Sequence, residues 1–139
     1  MPCSNENLEE QYRVAVEVLR IFSILQRYAI CKKTISYTAL ATEAKLQFWT
    51  GDLLEKFNYK NPNHRKDIGA LLEAVSCYSY EKNKTLLSVL VVHKGSEFPG
   101  DGFINMSEAH ELYDSKKETE QQFIERQKKK VFKFYSNCL

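Results

Sequence analysis

Three segments with helical periodicity precede the clearest strand pattern of this sequence, and their order restricts the folds that it can adopt. The helical patterns cover residues 6–29, 37–45 and about 61–80. Residues 86–93 are a short run rich in valine and leucine, which is typical of a buried strand. A turn-rich loop with three of the chain's five glycines then leads to a second extended pair, residues 103–104. Three helices followed by such a β-hairpin are the order of a winged helix.

The first helix is predicted from apolar residues that recur every three or four positions. Its predicted buried face consists of Leu8, Tyr12, Ala15, Leu19 and Phe22, with Val18 and Leu25 widening the stripe. The opposite face carries charges of both signs, at Glu10, Arg13, Glu17, Arg20 and Arg27. A face of mixed charge is expected to be solvated.

Capping residues mark where the next two helices begin. Thr34 or Ser36 can accept hydrogen bonds from the free N–H groups of a short helix over residues 37–45. Residues 61–63 (Asn-Pro-Asn) predict the start of a third helix, because proline suits the first turn and asparagine the cap. Between these helices, residues 46–60 are too apolar for a free linker and are expected to form a short helix or a packed loop.

The last part of the chain is predicted to be a helical region over residues 107–136, with a break near residues 114–115. Its aromatic end, residues 131–135, is expected to anchor the tail to the body, since its exposure would leave an apolar patch. The sequence therefore predicts a mainly α protein with a small β-hairpin. Residues 1–139 would form a single domain, in which long N- and C-terminal helices flank a helix-turn-helix or winged-helix-like core at about 34–105.

Composition and charge narrow the classes of function. The chain has 20 basic and 18 acidic residues and a net charge of +2, so its overall field is too weak to argue for nucleic acid by itself. It has no apolar run long enough to span a bilayer. Its N-terminus carries Glu6, Glu9 and Glu10 where an export signal would be basic and then apolar. We expect a cytoplasmic protein without membrane association, and its oligomeric state stays open.

The residue types that hold metals or start covalent chemistry are scattered along the sequence. The four cysteines lack the spacing of a zinc site and are expected to be reduced thiols: Cys3, Cys31, Cys77 and Cys138. Cys77 is predicted to be a small core residue. The three histidines fall in three different elements: His64, His93 and His110. The sequence also has no glycine-rich phosphate loop before a helix. Taken together with the scattered cysteines and histidines, it predicts no metal, no cofactor and no enzyme activity.

Short motifs follow one another through the predicted core. They are residues 35–41 (Ile-Ser-Tyr-Thr-Ala-Leu-Ala), residues 65–69 (Arg-Lys-Asp-Ile-Gly) and two valines at 91–92 before a glycine-rich loop. This series resembles the DNA-binding domain of the O6-alkylguanine-DNA alkyltransferases and their alkyltransferase-like relatives. The resemblance implies that Tyr37 touches the target phosphate and that Lys66 stands where the family has an arginine that intrudes into the DNA helix.

The sequence departs from that family at the reactive centre, and residues 46–60 are an insertion relative to it. Residues 87–90 (Leu-Ser-Val-Leu) replace the family's Pro-Cys-His-Arg. Alkyl transfer needs a thiolate activated by the neighbouring histidine, and Ser88 beside Val89 offers neither. If residues 86–94 form a core strand, successive side chains alternate between its two faces, and Leu90 with nearby aromatic residues closes the space over Ser88.

A second resemblance begins in the same segment. Its pattern consists of Ser88, the valine pair, Lys94, the Pro-Gly pair at 99–100 and the Gly-Phe pair at 102–103. Residues 131–134 continue it near the end of the chain. This pattern resembles an uncharacterised bacterial and phage family. It implies no function.

The exposed, basic start of the third helix makes nucleic-acid binding the first functional hypothesis. The residues expected to contact backbone phosphates are Tyr37, His64, Arg65, Lys66 and, on the wing, Lys94. The alternative is a protein-interaction module, for example an inhibitor or accessory factor encoded by a phage or a defence locus. Its partner anchors would be Phe48, Trp49 and Tyr59, which could equally be core residues.

Overall fold

The chain forms five α-helices and four short strands in a computed structural model that describes residues 8–136. The helices are α1 (Leu8–Ile30), α2 (Tyr37–Glu43), α3 (Pro62–Asn83), α4 (Asp101–Ala109) and α5 (Glu120–Ser136), and Leu87–Leu90 is a 3-10 helix. The strands are β1 (Ile35–Ser36), β2 (Phe48–Thr50), β3 (Leu53–Glu55) and β4 (Val91–Val92). The prediction of a mainly α domain with a small β-hairpin is confirmed. None of the helices found within residues 8–136 has the length and apolarity needed to cross a membrane.

Some sequence predictions concern residues whose placement lies outside the described part. These are Cys3, Cys138, Glu6, the start of the first helix at residue 6, and the side chains of Leu8, Glu9 and Glu10. The helix itself is present from Leu8 onward, as predicted.

The buried face of α1 overlaps only in part with the predicted one, because Leu25 is fully buried and Val18 and Phe22 pack against the core. Its fully buried and nearly buried apolar residues are Ile21, Ile24, Leu25 and Ala29, and the helix packs against α3, α5 and the 3-10 helix. Tyr12 and Leu19, predicted to be core residues, are 74% and 56% exposed. Glu17, predicted to be solvated, is buried, because its carboxylate accepts the N–H of Gln47 at 3.0 Å and lies 3.9 Å from Arg13. The predicted stripe is therefore exposed at Tyr12 and Leu19 and joins the core at its C-terminal end.

The predicted helix starts at α2 and α3 are confirmed. Ser36 Oγ accepts the N–H of Ala39 at 3.2 Å, which caps α2. Asn61 Oδ1 accepts the N–H groups of Asn63 at 2.9 Å and His64 at 3.4 Å, and Pro62 opens α3. α3 runs three residues past its predicted end at Tyr80, to Asn83. Caps are local hydrogen bonds between near neighbours, so the sequence alone locates them.

The β-hairpin lies earlier in the chain than predicted. β2 and β3 pair in antiparallel fashion, with Trp49 opposite Leu54, so residues 46–60 form neither the predicted short helix nor a packed loop. The hairpin predicted at residues 86–104 is absent, because β4 pairs in parallel with β1 and Phe103 lies in α4. Gly100 is the N-cap of α4, so the glycine-rich segment leads into a helix rather than a second strand.

Two serines of α3 hold residues 86–92 inside the molecule. Ser79 Oγ accepts the N–H of Leu87 at 3.2 Å and donates to the carbonyl of Thr85 at 2.7 Å. Ser76 Oγ accepts the N–H of Ser88 at 3.0 Å. Because side chains of α3 satisfy backbone groups that a strand would pair with its neighbour, the segment turns as a 3-10 helix before β4. The predicted alternation of faces is wrong, since residues 87–90 form a 3-10 helix instead of a strand.

Loss of the Ser79 hydroxyl should therefore destabilise the fold. Ser79→Ala leaves the N–H of Leu87 and the carbonyl of Thr85 buried without this partner, and we expect a loss of about 1–3 kcal/mol. Urea denaturation measures the change. Ser23→Ala on the exposed surface of α1 is the control, because it makes the same replacement in a helix without removing a buried hydrogen bond. A Ser79→Ala protein that unfolds like this control would contradict the account.

The C-terminal region has the predicted break and anchor. Residues 110–119 separate α4 from α5, although α4 begins at Asp101, before the predicted start at Ser107. Val131 and Tyr135 are buried, and Tyr135 Oη accepts a hydrogen bond from Asn83 Nδ2 at 3.3 Å. The end of α5 is thereby fixed to the end of α3.

Candidate nucleic-acid-binding cleft

A cleft of about 410 Å³ lies between α3, the loop after β4 and the start of α4. Its buried floor consists of Ile68, Leu72, Ser88, Phe103 and Met106. Its rim carries charged residues of both signs, namely Arg65, Lys66, Glu73 and Asp101. The other lining residues are Tyr37, Tyr59, Gly69, His93, Gly100 and Gly102. The volume lies in the range typical of pockets for small molecules and cofactors.

Three aromatic rings form one wall of this cleft. The ring centroids of Tyr37 and Tyr59 are 5.4 Å apart, and His93 lies 5.6 Å from Tyr37 and 5.4 Å from Tyr59. Gly100 packs against all three rings. A Cβ atom at Gly100 would lie 3.1 Å from Tyr37 Oη, 3.3 Å from Tyr59 Oη and 3.4 Å from His93 Cε1. The three rings can therefore meet around the loop because residue 100 has no side chain.

The Tyr37 hydroxyl is positioned to donate a hydrogen bond to a ligand. It accepts the N–H of Gly100 at 2.7 Å, which leaves its own proton available. Burial raises the pKa of Tyr37, and the nearby Tyr59 and Asp101 raise it further, against the lowering effect of the Gly100 N–H. The phenol is thus neutral at physiological pH and can act as a donor.

The first two turns of α3 supply the positive part of the rim. Arg65 donates to the carbonyl of Tyr59 at 2.8 Å, and its guanidinium lies 5.7 Å from the centre of the Tyr59 ring. Lys66 is exposed and forms no ion pair with the residues that the structure describes. Both cations lie near the N-terminus of α3, where the helix dipole also favours an anion. Glu73 lies seven residues further along the helix, about 10 Å from Lys66 along its axis.

Ser88 borders the cleft, but it has no activating base. It is 4% exposed, and its Oγ lies 2.5 Å from Ser76 Oγ. No histidine or carboxylate in the described part of the chain hydrogen-bonds to Ser88, so its hydroxyl lacks the partner that a nucleophilic serine requires. Leu90, which was expected to close the space over Ser88, is fully buried and does not line the cleft, whereas Ser88 does.

The cleft brings together three of the five residues predicted to contact phosphates: Tyr37, Arg65 and Lys66. Lys94 is exposed one residue beyond His93 and does not line the cleft. His64 was wrongly assigned, because its side chain is fully buried. Its Nδ1 accepts the N–H of Asn58 at 3.0 Å, and its ring packs 4.9 Å from Phe48. His64 therefore joins the segment after the hairpin to α3 and cannot reach a ligand.

The three predicted partner anchors have separate positions. Phe48 is a core residue that is 1% exposed, so its assignment as an anchor is wrong. Trp49 is 46% exposed on the hairpin, next to the exposed Leu53 and Leu54. Tyr59 belongs to the aromatic wall of the cleft.

Cys77 of α3 belongs to a second polar cluster, in which its partner His110 lies at the C-terminal end of α4. Its Sγ is 3.9 Å from His110 Nε2, and the same nitrogen is 3.5 Å from Glu73 Oε2. Partial burial raises the pKa of the Cys77 thiol, and the charges of Glu73 and Glu81 raise it further. A catalytic cysteine needs a lowered thiol pKa and a histidine positioned to accept its proton. The pKa of Cys77 is raised instead, and the His110 nitrogen that faces Cys77 also faces Glu73. Cys77 is half-buried at the edge of the core.

Known proteins supply no relative that assigns a role to the cleft. No protein-family model matches the chain, and no curated protein or solved structure matches it significantly. The cleft itself must therefore indicate the function, through its volume, its aromatic wall, its charged rim and the absence of an activated nucleophile among the described residues that line it.

Proposed function

We propose that this protein binds nucleic acid without modifying it, with one nucleobase in the cleft and the neighbouring phosphates on the rim. The observation that carries the proposal is the meeting of three aromatic rings and two cations at one open cleft. Proteins that bind unstacked nucleotides combine these two features, because bases stack on aromatic rings while cations neutralise the backbone.

The walls of the cleft suit a nucleobase. Tyr37, Tyr59 and His93 offer ring faces and edges on one side, and Ile68 and Phe103 provide apolar surface below. A flat heterocycle gains from stacking and from removal of its faces from water. A base inside a duplex would have to leave the stack to enter the cleft. The free-energy cost of unstacking is smaller for a base in a single strand or at a mismatch.

The uneven charge of the rim favours one orientation of the nucleotide. Arg65 and Lys66 attract phosphate at the start of α3, and the Tyr37 hydroxyl can donate to a phosphate oxygen. Glu73 and Asp101 repel phosphate from the other parts of the rim. Their carboxylates can instead accept hydrogen bonds from the exocyclic amino group of a base. Lys94, beside the cleft, would contact the next phosphate of the strand.

The resemblance to the alkyltransferase family is in accord with this proposal. Tyr37 and Lys66, which the resemblance associates with DNA, both line the cleft. Ser88, which replaces the family's reactive cysteine, lies in its floor without a base. These positions support recognition of a nucleotide without transfer of a group from it.

Binding should depend on how easily a base can leave the stack. In fluorescence anisotropy at low salt, we expect the protein to bind a duplex with a central mismatch, and a single strand of the same sequence, more tightly than the fully paired duplex. Affinity should fall as salt rises, since phosphate contacts release counterions. Equal affinity for the paired and mismatched duplexes would contradict the base in the cleft. Absence of binding to all three would contradict the proposed function.

A second candidate function is protein binding through the hairpin. Trp49 and Leu54 lie opposite each other on one face of the hairpin and are 46% and 55% exposed, and large apolar side chains paired on a surface are typical of interaction sites. This function would be favoured by a stoichiometric protein partner that binds without nucleic acid. Its binding should be lost on Trp49→Ala and kept on Lys66→Glu.

A further inference from the structure

The segment that carries Tyr59 to the cleft has little burial to hold it in place. Residues 51–60 are exposed, apart from the half-buried Phe57, and residues 56–61 belong to no helix or strand. The Tyr59 ring nevertheless makes two of the three ring contacts in the aromatic wall, to Tyr37 and to His93. The position of this ring must therefore depend on specific hydrogen bonds more than on burial.

The start of α3 supplies those hydrogen bonds. His64 Nδ1 accepts the N–H of Asn58 at 3.0 Å, and Arg65 donates to the carbonyl of Tyr59 at 2.8 Å. The N–H of Asn61 donates to the carbonyl of Asn58 at 2.9 Å. Arg65 is exposed, so water competes for its contact, whereas the side chain of His64 is fully buried. The hydrogen bond to His64 is therefore expected to be the strongest constraint on the segment.

The His64 ring has a fixed orientation that this hydrogen bond explains. Its centre lies 4.9 Å from that of Phe48 and 6.2 Å from that of Phe57, at interplanar angles of 35° and 27°. Because Nδ1 accepts a hydrogen bond, the proton of the neutral ring is on Nε2, which lies 3.5 Å from Glu55 Oε2. Nε2 is buried and forms no hydrogen bond within the described part of the chain. An apolar side chain would pack between the two phenyl rings without that cost, so packing alone does not account for a histidine here.

We propose that His64 is a positioning residue, which holds Asn58 and thereby keeps the adjacent Tyr59 ring in the aromatic wall. This inference rests on the proposed binding of a nucleobase in the cleft. Without the acceptor at Nδ1, Tyr59 would leave Tyr37 and His93, and the wall would retain one ring pair of its three. The base would lose stacking surface, while the cations of the rim would still attract phosphate. The preference for an unstacked base should thus depend on His64, and the affinity for paired DNA should not.

Nuclear Overhauser contacts between aromatic side chains test the position of Tyr59 in the free protein. We expect contacts from its ring to Tyr37 and His93 in the wild type, and their loss in His64→Leu, which has no acceptor. His64→Phe keeps a stacked ring without the acceptor, so it should lose them as well. His64→Asn should keep these contacts, because its Oδ1 takes the place of Nδ1 and accepts the N–H of Asn58.

Fluorescence anisotropy with the mismatched and the paired duplex tests the effect on binding. We expect the two affinities to become equal in His64→Leu, through loss of affinity for the mismatched duplex alone. In His64→Asn, the ratio of the two affinities should stay at its wild-type value. Ile24→Val is the matched control, because it also removes packing from a buried site but does not line the cleft, and it should keep the ratio. Thermal denaturation confirms that each variant is folded.

Several results would overturn the inference. Ring contacts of Tyr59 that persist in both His64→Leu and His64→Phe would show that His64 does not hold it. Equal loss of these contacts in His64→Asn would show that the acceptor is not the cause. A mismatch preference that survives the loss of the ring contacts, or that is lost equally in Ile24→Val, would also overturn it. A wild type without binding or without the preference contradicts the proposed function, and the ring contacts then still decide whether His64 positions Tyr59.

Discussion

Reversal of both cations at the start of α3, in the variant Arg65→Glu/Lys66→Glu, should weaken nucleic-acid binding on the order of a hundredfold, or about 2.7 kcal/mol. The variant removes two positive charges from the rim of the cleft and places two negative charges where phosphate is expected. The dependence of affinity on salt should also become shallower, because fewer counterions are released. Anisotropy titrations at several salt concentrations measure both effects.

The other end of the same helix provides the control for this charge reversal. Lys82→Glu/Lys84→Glu makes an identical change in net charge at the C-terminal end of α3 and its cap, away from the cleft. The two lysines lie 5.2 Å and 4.9 Å from the ring centres of Tyr78 and Tyr80, so each makes a local contact that costs little to lose. Equal loss of affinity in the two double variants would show that binding follows net charge and not the cleft.

A side chain placed inside the cleft should remove its preference for an unstacked base. Gly69 lies on the α3 side of the cleft, and a Cβ atom there meets no atom within 4 Å. An indole at this position can extend into the space proposed for the base without displacing the core. We therefore expect Gly69→Trp to bind mismatched and paired duplexes equally and weakly, with its fold preserved.

Gly69→Ala separates the effect of filling the cleft from that of changing the helix. Alanine is favoured over glycine inside a helix, so this variant should be more stable by about 0.5–1 kcal/mol and should keep the preference for the mismatch. Anisotropy and urea denaturation of both variants measure these outcomes. If Gly69→Trp keeps the mismatch preference of the wild type, the base does not occupy this cleft.

Local signals in the sequence located several elements correctly, and one local signal was missed. Gly51-Asp52 is a two-residue turn of the hairpin type between β2 and β3, and Gly51 has a φ of 61°. Ser36 and Asn61 mark helix starts because each caps N–H groups two or three residues away. The run at residues 86–92 has the composition of a buried strand, but it is buried because Ser76 and Ser79, distant in sequence, hold it against α3. Composition indicates burial, and the tertiary contact decides between a strand and a 3-10 helix.

The buried face of α1 was predicted only in part, because Leu25 belongs to the core but Tyr12 and Leu19 are exposed. Two apolar stripes are compatible with the same sequence, and the regular spacing of Tyr12, Ala15 and Leu19 made the outer one the stronger pattern. The core uses Ile21 and Leu25, because this side meets α3 and the 3-10 helix. Periodicity detects an amphipathic face, but it does not tell what covers that face.

The candidate site was half predictable. Motifs and exposed charge indicated Tyr37, Arg65 and Lys66, which the fold brings to one cleft. His64, next to Arg65 in sequence, points inward because consecutive residues of a helix face different directions. His93 and Gly100 were missed because they come from a loop whose position over Tyr37 is set by tertiary packing. The glycine pattern at residues 95–102 indicated a turn, but not the rings that meet around it.

The claim that the cleft holds a nucleotide is tested most directly by amide chemical-shift mapping. The ¹⁵N-labelled chain is titrated with a single-stranded oligonucleotide at low salt. We expect the largest shifts at Tyr37, Tyr59, Gly69 and Gly100, which line the cleft, and little change at Leu53 on the hairpin. Shifts confined to the hairpin, or none at saturating oligonucleotide, would contradict the account.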